Sequence, residues 1–370
     1  MLKNITGFIK KESVFFVFFG LLILLLIIFP SLIPQYPGYI DWNTMITLTG
    51  LIIVTTGLKE SGYFDKIAAM MLVRIHSERA IALFLIVLSA LLSAFITNDI
   101  ALFIIVPLTV SLLKGLQNDL NRLVIFEAIA VNAGSALTPI GNPQNLYLWH
   151  IWGIPFHDFI LKMMPLTSIL IILLTVFTLI SFGNEKLVIE KSEIIPKDKN
   201  LFIFSFLMMA VFIVFLELRM EAIPFMLIVF TYLIFFRKTL LKMDFFLLML
   251  FMVMFIDFTV LSKASFVRGW FHILPLDKSG SLFLISAFLS QGASNVPAAI
   301  FLSKFSNNYQ AIAYGVNVGG QGFIIGSLAN LIALRLLKNK KAYFEFHKYS
   351  IPFFLISLIV SYLLFFFKII

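Results

Sequence analysis

A chain of 370 residues that is 61% hydrophobic and 13% charged, with a mean hydropathy of +1.02, excludes a soluble globular protein, since soluble domains run at about 45–50% apolar and about 25% charged. With 0 Cys it has no disulfides, thiolate metal sites or cysteine nucleophiles, and its five His are too scattered to share a metal ion. The net charge of +9 reads as the Lys/Arg excess of cytoplasmic loops, so no nucleic-acid partner is expected.

Taken in order, the chain predicts an all-α polytopic membrane protein. Lys3, Lys10 and Lys11 precede an apolar run from Val14 to Ile28 that is too long for a signal peptide and lacks a small-residue cleavage site; it reads as a retained span over 14–33. A second span covers 42–57, each being near the roughly 20 residues a bilayer needs. Residues 58–79 mix charges with an apolar stripe, as an interfacial helix does. Residues 80–115 are apolar but interrupted at Thr97-Asn98-Asp99, which predicts a helical hairpin. Residues 123–152 are broken at Thr138-Pro139-Ile140-Gly141-Asn142-Pro143-Gln144-Asn145, where two prolines bar a regular helix. A span over 165–183 completes a first repeat (1–183), and 184–200 is a cytoplasmic linker. The second repeat (201–370) holds spans over 201–218, 222–236 and 244–261, an interfacial stretch over 262–279 and a hairpin over 280–305 interrupted at Ser294-Asn295-Val296. A segment over 311–337, broken by Gly319, Gly320, Gly322 and Gly326, and a span over 349–367 follow.

If each interrupted stretch returns to its own side, 21 of the 28 Lys and Arg fall on the cytoplasmic side, with the N-terminus inside. The halves also match internally. Residues 131–149 laid over 316–334 are identical at seven of 19 positions, including Asn132/Asn317, Gly134/Gly319, Gly141/Gly326 and Asn145/Asn330. Residues 89–101 laid over 286–298 match at six of 13, including Asn98/Asn295. The two halves then start on opposite sides of the membrane. Inverted repeats, interrupted helices and polar breaks are together the pattern of secondary transporters.

Helix breaks inside a membrane survive only where protein or a wet cavity surrounds them. Their exposed N–H groups suit an anion and their carbonyls a cation. The candidate binding residues are Thr97, Asn98, Asp99, Thr138, Pro139, Gly141, Asn142, Asn145, Ser294, Asn295, Pro297, Gly319, Gly320, Ser327 and Asn330. Two alternatives stand beside this reading: a hairpin whose polar turn lies at the outer surface, and close helix packing through the glycines of 319–326. Asp99, Glu127 and Asp257 lie at membrane depth with no Lys or Arg in the spans to pair with, which makes them candidate coupling acids. For Glu127 and Asp257, capping a break or pairing with an amide serves equally well.

Thr97-Asn98-Asp99 with Pro107, the run from Thr138 to Asn145, and Ser294-Asn-Val-Pro297 resemble the ion transporter superfamily, in particular its arsenite-permease and citrate-transporter-like branch, over about residues 42–367. That superfamily includes divalent-anion–sodium symporters and a class of sodium–proton antiporters. Its symporters carry Ser-Asn-Thr at each hairpin tip. The resemblance therefore implies Na+ at Thr97, Asn98, Ser294 and Asn295. The substrate-facing Thr is replaced by Asp99 and Val296, a departure that weighs against dicarboxylate binding of the symporter kind. The resemblance further implies movement of the hairpin and broken-helix unit against the other spans, and a homodimer.

The expected function is secondary active transport of a small anion, a carboxylate or inorganic oxyanion, across the bacterial cytoplasmic membrane, coupled to Na+ or H+, with no cofactor and no enzymatic activity. Sodium–proton antiport and arsenite or antimonite efflux are the rivals within transport, and a passive channel is a remoter one. Asp99 and Asp257 lack the sequence contexts of an intramembrane aspartyl protease, and no G-x-x-x-x-G-K-[ST] nucleotide motif occurs.

Overall fold

The computed structural model describes residues 12–72, 74–112, 120–185 and 196–366. The lysines of the N-terminal tail and most of the 184–200 linker lie outside the described residues. What is described is helical throughout. Helix α1 (Ser13–Ile28) leads into a 3-10 segment (Pro30–Gly38), then α2 (Trp42–Ser61) and the short α3 (Tyr63–Leu72). The first hairpin is α4 (Glu78–Phe95) and α5 (Asn98–Leu112); the first broken helix is α6 (Leu120–Ser135) and α7 (Pro143–Trp152). After α8 (Phe156–Ser181) come α9 (Lys199–Glu217), α10 (Ala222–Phe235), the one-turn α11 (Arg237–Leu240), α12 (Phe245–Lys263) and α13 (Ser265–Ile273). The second hairpin is α14 (Ser279–Ala293) and α15 (Asn295–Leu302). The second broken helix is α16 (Tyr309–Gly319) and α17 (Leu328–Leu337), and α18 (Lys340–Phe365) ends the described chain.

Local chemistry fixes these ends. Asp41, Asp198 and Asp244 each accept the N–H three residues on, at 2.7–2.9 Å, at the starts of α2, α9 and α12, satisfying donors that a helix leaves orphaned. Gly62 and Gly153 close α2 and α7 at φ 72°, a left-handed turn that glycine enters without steric cost. Two helices begin earlier than hydropathy places them: α8 at Phe156 rather than 165, and α18 at Lys340 rather than 349. Their N-terminal two to three turns carry Asp158 and Lys162, or Lys340, Lys341 and Lys348, which lower local hydropathy without breaking the helix. Pro165 sits inside α8, where it removes one hydrogen bond.

Among the described residues, α4, α8, α9, α12 and α18 are long and apolar enough to cross a membrane. Broad apolar faces remain uncovered, with Ile180, Met226, Phe230 and Phe235 all more than 60% exposed, as lipid-facing helices require. This is a polytopic membrane protein.

The packing inside runs in pairs. Each hairpin's first leg lies along the first half of its own broken helix, α4 on α6 and α14 on α16. Each second leg lies against the far half of the other broken helix, α5 on α17 and α15 on α7. Outside this unit, α1 packs on α12, and α9 and α10 pack on α2.

Candidate functional site

The tips of both hairpins meet the breaks. At the first, the Asn98 N–H donates to the Gly141 carbonyl at 2.8 Å, and Asn98 Oδ1, on the first residue of α5, accepts the Asp99 N–H at 2.9 Å. At the second, Asn295 Oδ1, on the first residue of α15, accepts the Val296 N–H at 2.9 Å in the same way. Ser294 stands there at φ 75°, ψ 156°, a backbone conformation that costs a residue with a Cβ about 1–3 kcal/mol. Gly320 keeps the approach open, since a Cβ on it would lie 3.1 Å from Asn295 Nδ2.

The breaks are joined to one another by amides. Asn132, near the end of α6, donates to Asn330 Oδ1 at 2.7 Å, and Asn317, near the end of α16, donates to Asn145 Oδ1 at 2.7 Å. Ser327 Oγ donates to Asn132 Oδ1 at 2.9 Å, and Asn142 Nδ2 donates to Asn317 Oδ1 at 3.1 Å. Asn142 and Ser327 are also the N-caps of α7 and α17. Asn145 Nδ2 donates to the carbonyls of Ser135, Ala136 and Thr138, while Asn330 Nδ2 donates to those of Gly320 and Phe323. Backbone acceptors freed by the breaks are thereby satisfied internally, as hydrocarbon surroundings demand. Each break is completed by a side chain from the opposite half.

The hairpins are tied in as well. Thr138 Oγ1 donates to the Ala94 carbonyl at 2.5 Å, and Gln291 spans Gly319 O and Phe323 N at 2.7 Å each. Gly141 and Gly326 leave no room for a Cβ, which would fall 2.3 Å from Ser135 O and 2.8 Å from Gly319 O.

The three acids part company. Asp99 lies in the first turn of α5, 5% exposed, and no hydrogen bond or ion pair reaches its carboxylate among the described residues. Glu127 accepts the Thr109 hydroxyl on one oxygen and, among the described residues, has no partner on the other. Among the described residues both oxygens of Asp257 are buried without a partner, and the nearby Tyr36 hydroxyl is likewise unpaired. Only Asp99 belongs to the tip-and-break constellation. The Thr97 hydroxyl makes no hydrogen bond among the described residues, while Pro139 and Pro297 are buried and contribute shape alone.

Four polar residues of the constellation escaped the candidate set: Asn132, Asn317, Ser135 and Gln291. The first two were signalled by their identity in the internal alignment. Gln291 aligns with Ala94 and gave no signal.

Two cavities lie at opposite ends of α12. One, of about 240 Å³, is lined by Asp244, Arg335 and Phe103, one turn along α5 from Asp99, and by Leu328 beside Ser327. The other, of about 780 Å³, opens between α12, α13 and the turn after α15.

Apolar spans around interrupted helices that are satisfied by buried amides define a polytopic membrane transporter. The comparisons place it further: a citrate transporter profile matches residues 8–310, and the chain belongs to that family. It is 40% identical over 353 residues to inner membrane protein YbiR of Escherichia coli, covering 94% of this chain and 95% of that protein. It is 33% identical over 326 residues to the uncharacterized transporter MJ0456 of Methanocaldococcus jannaschii, covering 87% and 88%. A 167-residue stretch is 32% identical to human P protein, of which it spans 20%.

Asn145 offers a direct check on the amide network. In Asn145→Asp the three carbonyl acceptors lose their donor, and each orphaned buried group costs about 1–3 kcal/mol. The melting temperature of the detergent-purified protein is expected to fall well below that of wild type, and an unchanged value would show that the network carries no stability.

Proposed function

We propose that this transporter moves a small anion, a carboxylate or an inorganic oxyanion, across the cytoplasmic membrane with its N-terminus inside, coupled to Na+ or H+. Its two halves act as inverted repeats around the site between the hairpin tips and helix breaks. The observation that carries the reading is the inequality of the two tips. Both α5 and α15 point the positive end of a helix at the centre. In the first half that end carries the chain's own carboxylate, Asp99; in the second the equivalent residue is Val296. A buried carboxylate without a counter-ion calls for a proton or a sodium ion, and the uncharged α15 terminus suits an anion. The paired packing and the cavities at the two ends of α12 support alternating access.

Asn98→Ala and Asn295→Ala each remove the side-chain amide from a tip, and with it the oxygen that accepts the following N–H. Both are expected to impair transport while inserting normally, and full transport by both would refute a site at the tips. The coupling is tested by charge displacement from proteoliposomes on a solid-supported membrane, with sodium and pH jumps in the presence and absence of carboxylates and oxyanions. Currents that require an anion support the reading. Currents driven by sodium or pH alone support sodium–proton antiport, the second reading, which the carboxylate at position 99 favours.

A further inference from the structure

The larger cavity belongs to neither tip nor break. Its wall brings together Lys263 from the end of α12, Arg268 and His272 from α13, and Lys304 from the turn after α15, against a single acid, Asp277. Among the described residues no carboxylate pairs with any of the three permanent cations. Lys263 donates to the Tyr39 hydroxyl at 2.9 Å and lies 4.2 Å over that ring. Arg268 Nε donates to Ser262 O at 3.1 Å, which leaves the outer edge of its guanidinium uncommitted. Lys304 feels the attraction of Asp41, which lies outside the cavity wall, as well as the repulsion of Lys263.

Lys263, Arg268 and Lys304 all reach solvent around one concave opening, and a cleft lined by charges of one sign focuses field lines and draws anions towards it. The wall is held in place by packing. Phe271 meets Phe301 at 4.8 Å and stacks on Phe305 at 5.0 Å, fixing α13 against the end of α15. On the other side of α13, Phe266, Trp270 and Ile273 are 63–81% exposed, as the lipid face of an interfacial helix would be.

We propose that this cavity is a second binding site, an entrance vestibule for an oxyanion carrying two or more negative charges. Arg268 supplies a fork for two oxygens, and Lys263 and Lys304 neutralise the remaining charge. Lys304 stands just beyond α15, whose eight residues span about 12 Å at 1.5 Å each and end at the Asn295 tip. An anion held at Lys304 is thus one short helix from the central site. The vestibule is a separate binding site, and its existence does not depend on what the tips carry.

Two sources supply such an anion, a free polycarboxylate or phosphate and the phosphate of a lipid headgroup. The test uses the full-length protein in phosphatidylcholine nanodiscs, titrated with citrate and then with inorganic phosphate by calorimetry, in wild type and in Asn98→Ala. Asn98→Ala is expected to keep the vestibule component of citrate or phosphate binding at its wild-type affinity, whatever it loses at the tips, and that component is expected to weaken as NaCl rises. Arg268→Gln and Lys304→Gln are each expected to weaken it by about tenfold or more, Lys304→Arg to restore it, and Lys278→Gln, next in sequence to Asp277 but outside the cavity lining, to leave it unchanged. If neither anion binds, native mass spectrometry of protein from nanodiscs containing phosphatidylglycerol decides. That lipid retained by wild type and lost from Lys304→Gln identifies the headgroup as the source. Binding that Asn98→Ala abolishes and Lys304→Gln leaves intact would overturn the vestibule while sparing the central site. No binding of either kind would overturn it too.

Discussion

Asp99→Asn is expected to abolish sodium- or pH-driven charge movement in proteoliposomes while leaving the protein folded and inserted. The carboxylate is 5% exposed in the first turn of α5, with no hydrogen-bond or ion-pair partner among the described residues, so its removal breaks no contact that holds the fold. An Asn there is nearly isosteric, and position 99 has no partner to lose. What disappears is the one negative charge at the tips, and with it the group that takes up a proton or sodium ion. If the transported anion still binds, its affinity should become insensitive to sodium and pH, because the coupling energy between two ligands vanishes when one site is removed. A variant that retained sodium- or pH-driven currents would place the coupling group elsewhere, with Asp257 next in line because neither of its buried oxygens has a partner among the described residues.

The second large effect is structural. A Cβ on Gly134 would stand 2.2 Å from the Ala90 carbonyl oxygen and 2.5 Å from Ala90 Cα. Both are backbone atoms of α4, so no side chain can swing aside. On the other half, a Cβ on Gly319 would meet the Ala287 carbonyl at 2.7 Å and Ser290 Cβ at 2.6 Å. In Gly134→Ala the hairpin must move off α6, and overpacking of this sort costs about 1–3 kcal/mol or more. We expect a marked drop in the monodisperse fraction on size-exclusion chromatography and in melting temperature, with Gly319→Ala behaving alike. Gly292→Ala is the control: nothing lies within 4 Å of its Cβ position, and alanine is the better helix former by about 1 kcal/mol. Equal behaviour of Gly134→Ala and Gly292→Ala would show that the close helix contact is not what the glycine provides.

Much of the membrane architecture was legible because hydrocarbon imposes simple demands on a chain. Long runs of Phe, Leu and Ile announced the spans, and Pro139, Pro143 and the 319–326 glycines announced where helices stop. The citrate-transporter resemblance rested on the same breaks. Helix starts were less legible where charged turns precede the apolar run, as at Asp158 and Lys340. Within the site, the tip residues stood out as polar groups in apolar surroundings. Their partners did not, because Asn132 and Asn330 are separated by 198 residues and nothing local ties one to the other. The vestibule was illegible for a similar reason. Lys263 ends α12, Arg268 lies in α13 and Lys304 in the turn after α15, and the packing of Phe271 on Phe301 and Phe305 brings these elements together.

The crossed amide bonds also set a timetable for biogenesis. Asn132 is made long before Asn330, and Asn145 waits 172 residues for Asn317. At about 5–20 residues per second, the 198-residue interval lasts roughly 10–40 s. Throughout that time the first break lies in the nascent chain with polar groups that lipid cannot satisfy. The unfinished half must be shielded by the insertion machinery or by water until its counterpart emerges. A ribosome that stalls in the second half therefore leaves behind a membrane-embedded fragment with its amides open, the form in which this protein is most exposed to misassembly and proteolysis.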